Sequence, residues 1–214
     1  MHSESGAGLT PSVFWEERYS SADRVWSGTA NRTFVDVVSP LAPGLALDLG
    51  CGEGADVIWM AEHGWQATGI DISSTAVARA REAASARGLA DGRATFEAAD
   101  LATWRSATEY DLITASFLQS PVALPRAEIL REVAASVAPG GHLLVIGHAA
   151  PPPWSAHRDH HANLPTPEDE VAALALDEGE WMLRLAETRP RESLGPDGTP
   201  AVLDDTVVLM RRRG

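Results

Sequence analysis

The sequence predicts an α/β protein: a doubly wound sheet, mostly parallel with a C-terminal antiparallel strand, and helices on both faces. Three observations lead to this class. Short apolar runs alternate with stretches in which apolar residues recur at helical spacing. A glycine turn, residues 50–54, joins the first run to the first helical stretch. Near the C terminus, strand-like runs at 181–187 and 206–210 flank a loop rich in proline and glycine, which predicts a closing hairpin.

The first half of the chain follows this alternation in order. A short strand at 45–47 follows Pro43 and Gly44, and a helix should run from the glycine turn to Gly64. A second strand ends near residue 71. Ser73 or Ser74 can cap a helix that continues through Ala86, and a third strand is predicted at 94–97.

The second half predicts a strand at 110–117, a helix, and a strand at 142–147. The helical stripe of apolar residues extends to Val137 and should end at Pro139 and Gly140. Thr166 and Pro167, followed by acidic residues, predict a last helix to about residue 177. We expect residues 189–201 to form a loop between the two final strands.

The glycine turn indicates a ligand site. Glycines at 50, 52 and 54 remove Cβ atoms from the turn, so a ligand can lie against bare backbone in front of a helix N-terminus with unpaired N–H groups. Asp71 follows the next strand, 21 residues after Gly50. In doubly wound folds an acid at about this distance accepts hydrogen bonds from ribose hydroxyls. The pattern therefore predicts a nucleoside-containing cofactor.

Two cofactors fit this spacing. Gly50, Gly52 and Ala55 satisfy the dinucleotide fingerprint, in which the turn holds a pyrophosphate. Asp48, two residues before Gly50, favours S-adenosylmethionine instead, because a carboxylate at the mouth of the turn repels a pyrophosphate and attracts a sulfonium or ammonium group. Asp48 can also serve only to cap the turn.

With these residues, the chain resembles the class I S-adenosylmethionine-dependent methyltransferases, which are Rossmann-like and carry a D-x-G-x-G loop, here residues 48–52. The resemblance implies that Asp71 holds the ribose, that Asp100 meets the adenine amino group, and that Ser116 lies under the reacting carbon. It implies no catalytic residue. The implied cofactor-binding residues are Trp26, Asp48, Gly50, Cys51, Gly52, Asp71, Ile72, Ala99, Asp100, Leu101, Ser116 and Phe117.

The N-terminal segment resembles that of small-molecule methyltransferases of the thiopurine and tellurite-resistance kind, in which an N-terminal helix covers the cofactor. The resemblance implies a helical cap at residues 1–40 and a methyltransferase domain at 41–214, together one compact unit. Trp15, Tyr19 and Trp26 are candidates for the cover, where aromatic faces attract a sulfonium. The four-residue spacing of Trp15 and Tyr19 equally suits a helix face that packs on the sheet.

The composition of the chain limits the classes of molecule that we expect it to bind. A net charge of −13 with 17 basic residues argues against nucleic acid, because phosphate-binding surfaces need clustered Lys and Arg. We therefore expect a small-molecule methyl acceptor. Residues 1–8 carry no apolar segment, and no run is long enough to span a membrane. With the single cysteine, Cys51, these features predict a cytoplasmic protein; its oligomeric state is left open.

The loop at 148–165 should leave the sheet at the ligand edge and is the candidate substrate lid. His148 is either a substrate-contacting base or structural, and Gln119 either contacts the substrate or finishes a turn. His157, His160 and His161 fall short of a zinc signature, so no metal is predicted. An NAD-dependent oxidoreductase and a noncatalytic S-adenosylmethionine-binding protein are the alternative functions.

Overall fold

The computed structural model describes residues 10–152, 154, 164–195 and 197–214. Within them, one seven-stranded sheet has the order β3-β2-β1-β4-β5-β7-β6. Strands β1 to β5 pair in parallel, and β7 is antiparallel to both β5 and β6. The predicted fold class is confirmed. The strands are β1 (Leu45–Leu49), β2 (Gln66–Asp71), β3 (Ala94–Ala98), β4 (Tyr110–Ser116), β5 (Val137–His148), β6 (Trp181–Leu194) and β7 (Pro200–Arg212).

Helices cover both faces of the sheet, and each face has its own apolar core. Side chains alternate along a strand, so Leu144 and Ile146 of β5 join one core while Leu143 and Val145 join the other. The second, third and fourth helices pack on the first core, and the fifth and sixth on the second. The helices are α1 (Pro11–Ser20), α2 (Arg32–Val38), α3 (Ala55–Glu62), α4 (Ser74–Ala86), α5 (Arg126–Ala134) and α6 (Pro167–Leu174).

Helix α5 is shorter than the sequence pattern predicts. It ends at Ala134, and Val137 opens β5 opposite Tyr110, so the prediction that the helix continues to Pro139 is wrong. The register shifts between Tyr110 and Leu112, where residues 138–141 bulge out of the ladder before His142 resumes the pairing. Val137 is a fully buried strand residue, which accounts for its apolar side chain. Its spacing from the preceding apolar residues also matches a helix, and this led to the wrong prediction.

The closing hairpin is confirmed, but its strands are longer than predicted. Residues 189–194 and 200–201 pair in the β6–β7 ladder, so the predicted loop contracts to residues 195–199. The prolines fit this arrangement: Pro190 lies on the edge strand β6, and Pro200 is the first residue of β7. Proline therefore did not exclude strand structure here.

The remaining predictions concern helix ends and chain organisation. Helix α6 has the predicted N-cap at Thr166, completed by a capping box with Asp169, but it ends at Leu174 because Ala175 is left-handed. The division into a cap at 1–40 and a domain at 41–214 stays a prediction, and residues 1–9 lie outside the described part. No helix among the described residues combines the length and apolarity needed to cross a membrane.

Candidate active site

The predicted site residues gather at one edge of the sheet. Strands β1, β2, β4 and β5 are parallel, so Leu49, Asp71, Ser116 and His148 end them at the same side. The chain reverses its winding direction between β1 and β4, since β2 and β3 lie beyond β1 while β5 lies beyond β4. Ligands of open parallel sheets bind at such a switch point.

The glycine turn crosses this edge in a conformation that needs glycine. Gly52 has φ 53° and Gly54 has φ 82°, and Gly54 is the left-handed N-cap of α3. The N–H groups of Gly50 and Cys51 both donate to the carbonyl of Ile70, at 2.8 and 3.0 Å, which ties the turn to β2. Burial raises the pKa of the Cys51 thiol well above its ordinary value, so this thiol stays protonated and packs.

Asp71 is tied to the glycine turn. Its Oδ2 accepts a hydrogen bond from the Gly52 N–H at 2.8 Å, and its Oδ1 accepts one from the Ser73 N–H at 2.9 Å. Burial raises the pKa of Asp71, and backbone hydrogen bonds from Ser73, Gly52 and Ile72 oppose that rise. A carboxylate has about four acceptor positions, so one remains for a ribose hydroxyl. Asp71 therefore fits the predicted ribose-binding role.

Asp48 lies deeper than the sequence suggested. Its side chain is 3% exposed, and its Oδ1 accepts a hydrogen bond from Thr114 Oγ1 at 2.7 Å, across the β1–β4 pair. The carboxylate is therefore buried behind the turn rather than standing at its mouth. Burial, followed by the nearby Asp56 carboxylate, raises the pKa of Asp48 well above its ordinary value.

Asp56 is a site residue that the sequence reasoning missed. It lies in the first turn of α3, and its Oδ1 accepts from the Asn31 N–H at 3.1 Å. Burial raises the pKa of Asp56 to about 6, against the opposing hydrogen bonds from Asn31 and Ser116. An acid in the first turn after a glycine N-cap was the available sequence signal. Asp48, Asp56 and Asp71 thus place three buried acidic side chains around the turn, and a bound cation would favour their ionised forms.

The predicted adenine end follows β3. Ala99 is tied to the end of β2, because its N–H donates to the carbonyl of Asp71 at 2.9 Å. Asp100 is exposed, with Oδ1 accepting from the Ala102 N–H at 2.9 Å, and Leu101 is 8% exposed beside it. Ile72 lies half-buried directly after Asp71. An apolar side chain beside an exposed acceptor suits an adenine ring and its amino group.

Aromatic residues of the N-terminal segment lie over the glycine turn. A Cβ added to Gly52 would stand 2.8 Å from Tyr19 Oη and 3.3 Å from Trp26 Nε1. Trp26 Nε1 donates to Tyr19 Oη at 2.9 Å, and burial raises the pKa of the Tyr19 phenol. Trp15 Nε1 donates to Ser120 Oγ at 3.2 Å, so α1 also reaches the loop after β4. The structure therefore brings all three candidate cover residues to the site.

Two glutamates that the sequence reasoning missed hold this cover in place. Glu53 accepts from the N–H groups of Val25 and Trp26 and forms an ion pair with Arg79 at 3.0 Å. Glu16 accepts from the Ser73 hydroxyl and from the Thr75 N–H and hydroxyl. These hydrogen bonds, that from the Thr75 hydroxyl first, lower the pKa of Glu16 to about 2.

Ser116 and Phe117 end β4 beside the glycine turn. Phe117 has φ 54°, a conformation that is uncommon for a residue with a Cβ. The Phe117 ring contacts the His148 ring, with centroids 4.5 Å apart, and Gln119 Oε1 accepts from the His148 N–H at 2.9 Å. Gln119 therefore joins the ends of β4 and β5. The histidine cluster, His157, His160 and His161, lies outside the described residues, so the lid stays a prediction.

The residues present fit S-adenosylmethionine on structural grounds. The turn at Gly52 offers bare backbone, Asp71 keeps acceptor positions, and buried carboxylates suit a cationic group. Asp71 would hold the ribose, Leu101 and Asp100 the adenine, and the glycine turn the methionine part. Contact of the predicted residues with the cofactor itself stays a prediction.

Comparison with known proteins agrees with this geometry. Residues 46–141 match the profile of the family described as methyltransferase domain. Over 118 residues the chain is 36% identical to 2-heptyl-1-hydroxyquinolin-4(1H)-one methyltransferase of Mycobacteroides abscessus, covering 51% of this chain and 49% of that protein. Over 101 residues it is 38% identical to thiocyanate methyltransferase 1 of Arabidopsis thaliana, covering 46% and 43% respectively. The chain thus spans half or less of the length of these curated relatives.

The fold itself extends over nearly the whole chain. The crystal structure of the N-methyltransferase NodS from Bradyrhizobium japonicum, in complex with S-adenosyl-L-homocysteine, superposes with a TM-score of 0.69 at 19% identity, covering 96% of this chain and all of the other. At this identity the likeness shows the fold. Residues 46–141 match the methyltransferase domain family, and the chain has the fold of the class I methyltransferases, whose cofactor is S-adenosylmethionine. The class predicted from the sequence is confirmed.

Proposed function

We propose that this protein transfers the methyl group of S-adenosylmethionine to a small-molecule acceptor. The observation that carries the proposal is the group of three buried carboxylates around the glycine turn, Asp48, Asp56 and Asp71. In a partly buried site, opposite charges about 4 Å apart attract by several kcal/mol, and like charges repel equally. The group therefore favours a sulfonium and an ammonium over the pyrophosphate of NAD.

Methyl transfer needs alignment more than covalent help from the protein. The acceptor displaces the sulfonium in line, so the protein holds the two reactants in contact and excludes water. Asp71 fixes the cofactor through its ribose, and Ser116 and Phe117 form the surface under the reacting carbon. Tyr19 and Trp26, which already contact the glycine turn, close the site from above. When bound, the cofactor supplies the electrophilic methyl group.

The acceptor class is supported by charge and by the relatives. A net charge of −13 disfavours nucleic acid, and the two relatives compared above are named for a hydroxyquinolone and for thiocyanate. We infer a small acceptor with an oxygen or sulfur nucleophile. We also propose a cytoplasmic location, which is supported by the single cysteine, since one cysteine cannot form an internal disulfide.

Calorimetric titration with S-adenosylmethionine, S-adenosylhomocysteine and NAD in one buffer tests the cofactor. We expect saturable binding of the first two and none of NAD; binding of NAD alone would refute the proposal.

Asp71→Asn should weaken S-adenosylhomocysteine binding at least tenfold, because the ribose loses a hydrogen bond to a charged acceptor. Such a hydrogen bond contributes about 1.5 to 3 kcal/mol. Asp36→Asn, on the exposed side of α2, is the matched control and should bind as the wild type.

A second titration tests the adenine end. Asp100→Ala should weaken S-adenosylhomocysteine binding, while Asp91→Ala, an exposed acid in the loop before β3, should not. Turnover is then measured as S-adenosylhomocysteine formed with a panel of hydroxyquinolones, phenols, thiols, thiocyanate and halides. Binding of the cofactor without turnover of any acceptor would favour the noncatalytic alternative.

A further inference from the structure

A histidine and an aspartate face each other beyond the cofactor side of the site. His148 ends β5, and its partner in the ladder is Asp205 of β7. His148 Nδ1 lies 4.0 Å from Asp205 Oδ1. Asp205 is completely buried while the His148 side chain is 35% exposed. A buried acid behind a partly exposed imidazole is the arrangement that orients a histidine for proton transfer.

Asp205 is held in place from two other elements. Thr33 Oγ1, on α2, donates to Asp205 Oδ2 at 2.9 Å. Arg191, on β6, donates through Nε to Oδ2 at 2.7 Å and through its terminal nitrogen to Oδ1 at 3.3 Å. Donors from two elements therefore converge on one buried carboxylate, which leaves it little freedom to rotate.

Phe117 packs against the imidazole of His148, and Gln119 accepts a hydrogen bond from the backbone N–H of the same residue. The Phe117 ring packs against His148, and the Arg191 guanidinium lies 5.6 Å from the centre of the same ring. Phe117 does this from a left-handed backbone, a strained conformation for a residue with a Cβ that concentrates at functional sites. Its N–H donates to the Ile146 carbonyl at 2.7 Å, which ties the strained residue to β5.

Topology puts this pair on the acceptor side. β4 separates β1, which carries the glycine turn, from β5, which carries His148. Adjacent strands lie about 4.8 Å apart, so the strand ends at Leu49 and His148 are separated by about 10 Å. A cofactor that spans β2 and β1 leaves the room beside β4 and β5 for the acceptor. The imidazole therefore borders the place where the nucleophile approaches the methyl group.

We propose that the acceptor carries an ionisable proton, on a thiol or an acidic hydroxyl, and that His148 takes this proton. Asp205 is the positioning residue for the imidazole. The nucleophile forms a bond to the methyl carbon as the carbon–sulfur bond of the sulfonium breaks, and neutral S-adenosylhomocysteine leaves. The acceptor proton passes to His148 and then to solvent. This inference rests on the proposed methyltransferase function and specifies its acceptor.

Acceptors of graded acidity test the role of His148 directly. 4-Nitrothiophenol is ionised at neutral pH and needs no base, whereas benzyl mercaptan is protonated. His148→Gln should lower kcat for benzyl mercaptan by about 100-fold or more, the usual contribution of a general base, and kcat for 4-nitrothiophenol by less than about fivefold. Asp205→Asn should show the same selective loss at smaller size. His142→Gln, at the opposite end of β5, is the matched control.

A spectroscopic measurement makes the test independent of turnover. 4-Chlorothiophenol is added at pH 6, close to the pKa of the free thiol, to the protein with S-adenosylhomocysteine bound, and the thiolate absorbance is followed. The wild type should raise the thiolate fraction of the bound probe, and His148→Gln should not. A thiolate band of equal size in both proteins, or an equal loss of kcat for both thiols in His148→Gln, would overturn the inference.

The failure of this inference can be told apart from the failure of the proposed function. If the wild type methylates only acceptors without a proton, such as iodide and thiocyanate, methyl transfer stands and the base is refuted. If the protein binds no S-adenosylmethionine, the proposed function falls first. His148→Gln and Asp205→Asn are compared with the wild type by S-adenosylhomocysteine affinity, which both variants should retain because neither residue belongs to the cofactor half of the site.

Discussion

Replacement of Asp56 by asparagine should stabilise the protein at neutral pH and much less in acid. The pKa of Asp56 is about 6 in the folded protein, against an ordinary value of 3.8 in the unfolded chain. Between these values the folded state holds a proton that the unfolded state has lost, so stability falls as the pH rises through this window and stays low above it. At about 1.4 kcal/mol per pKa unit, the ionised carboxylate costs about 3 kcal/mol at pH 7.5 and about half of that at pH 5.

Asparagine keeps the size of the side chain and the acceptor for the Asn31 N–H, while it removes the charge that opposes Asp48. Urea unfolding of both proteins at pH 5 and pH 7.5 measures the effect. We expect a gain in unfolding free energy that is about twice as large at the higher pH. Asp36→Asn, an exposed acid on α2, should give no such pH-dependent gain. A gain that is equal at both pH values, or a loss, would refute the reasoning from buried like charges.

Two further predictions concern packing. An alanine at Gly52 or at Gly88 puts a Cβ on a left-handed residue, which costs about 1 to 2 kcal/mol of stability in either case. Of the two, only the Cβ at Gly52 would meet a neighbour, the Tyr19 hydroxyl, so Gly88→Ala is the control. We therefore expect Gly52→Ala alone to weaken S-adenosylhomocysteine binding, at least tenfold by calorimetry. Arg126→Met leaves the buried Glu170 carboxylate unpaired and should lower the unfolding free energy in urea by about 3 to 5 kcal/mol; adding Glu170→Met should recover most of it, and no recovery would contradict this account.

Patterns of neighbouring residues in the sequence predicted those parts of the candidate site that come from one continuous segment of the chain. The glycine turn and Asp71 were predictable because a strand, a turn and a helix N-terminus each have their own local signal, and their spacing places an acid at the next strand end. The closing hairpin was also predictable, but its length was not. Pro190 and Pro200 predicted an interruption of the strands. The structure accommodates Pro190 on an edge strand and Pro200 at the first position of a strand, two places in a sheet where proline is tolerated.

The parts that depend on tertiary structure were not predictable from local patterns. Val137 continued a helical stripe, yet its pairing with Tyr110 made it a strand residue. Asp205 had no local signal at all, because its partners Thr33 and Arg191 come from elements 172 and 14 residues away. Charge pairs across a fold are set by which strand ends converge, and that information lies in the topology rather than in any one segment.

We expect the N-terminal segment to couple closure of the site to binding of the cofactor. Glu53 links this segment to the glycine turn, and Glu16 links it to the start of α4, next to Asp71. The pKa of Glu16, lowered to about 2, means that its contribution to stability is complete above pH 4.5 and is lost only as the pH falls toward 2. Because Tyr19 lies against Gly52, we expect the cofactor and the cover to meet at this surface. By linkage, the factor by which the closed cover raises cofactor affinity equals the factor by which the bound cofactor favours closure.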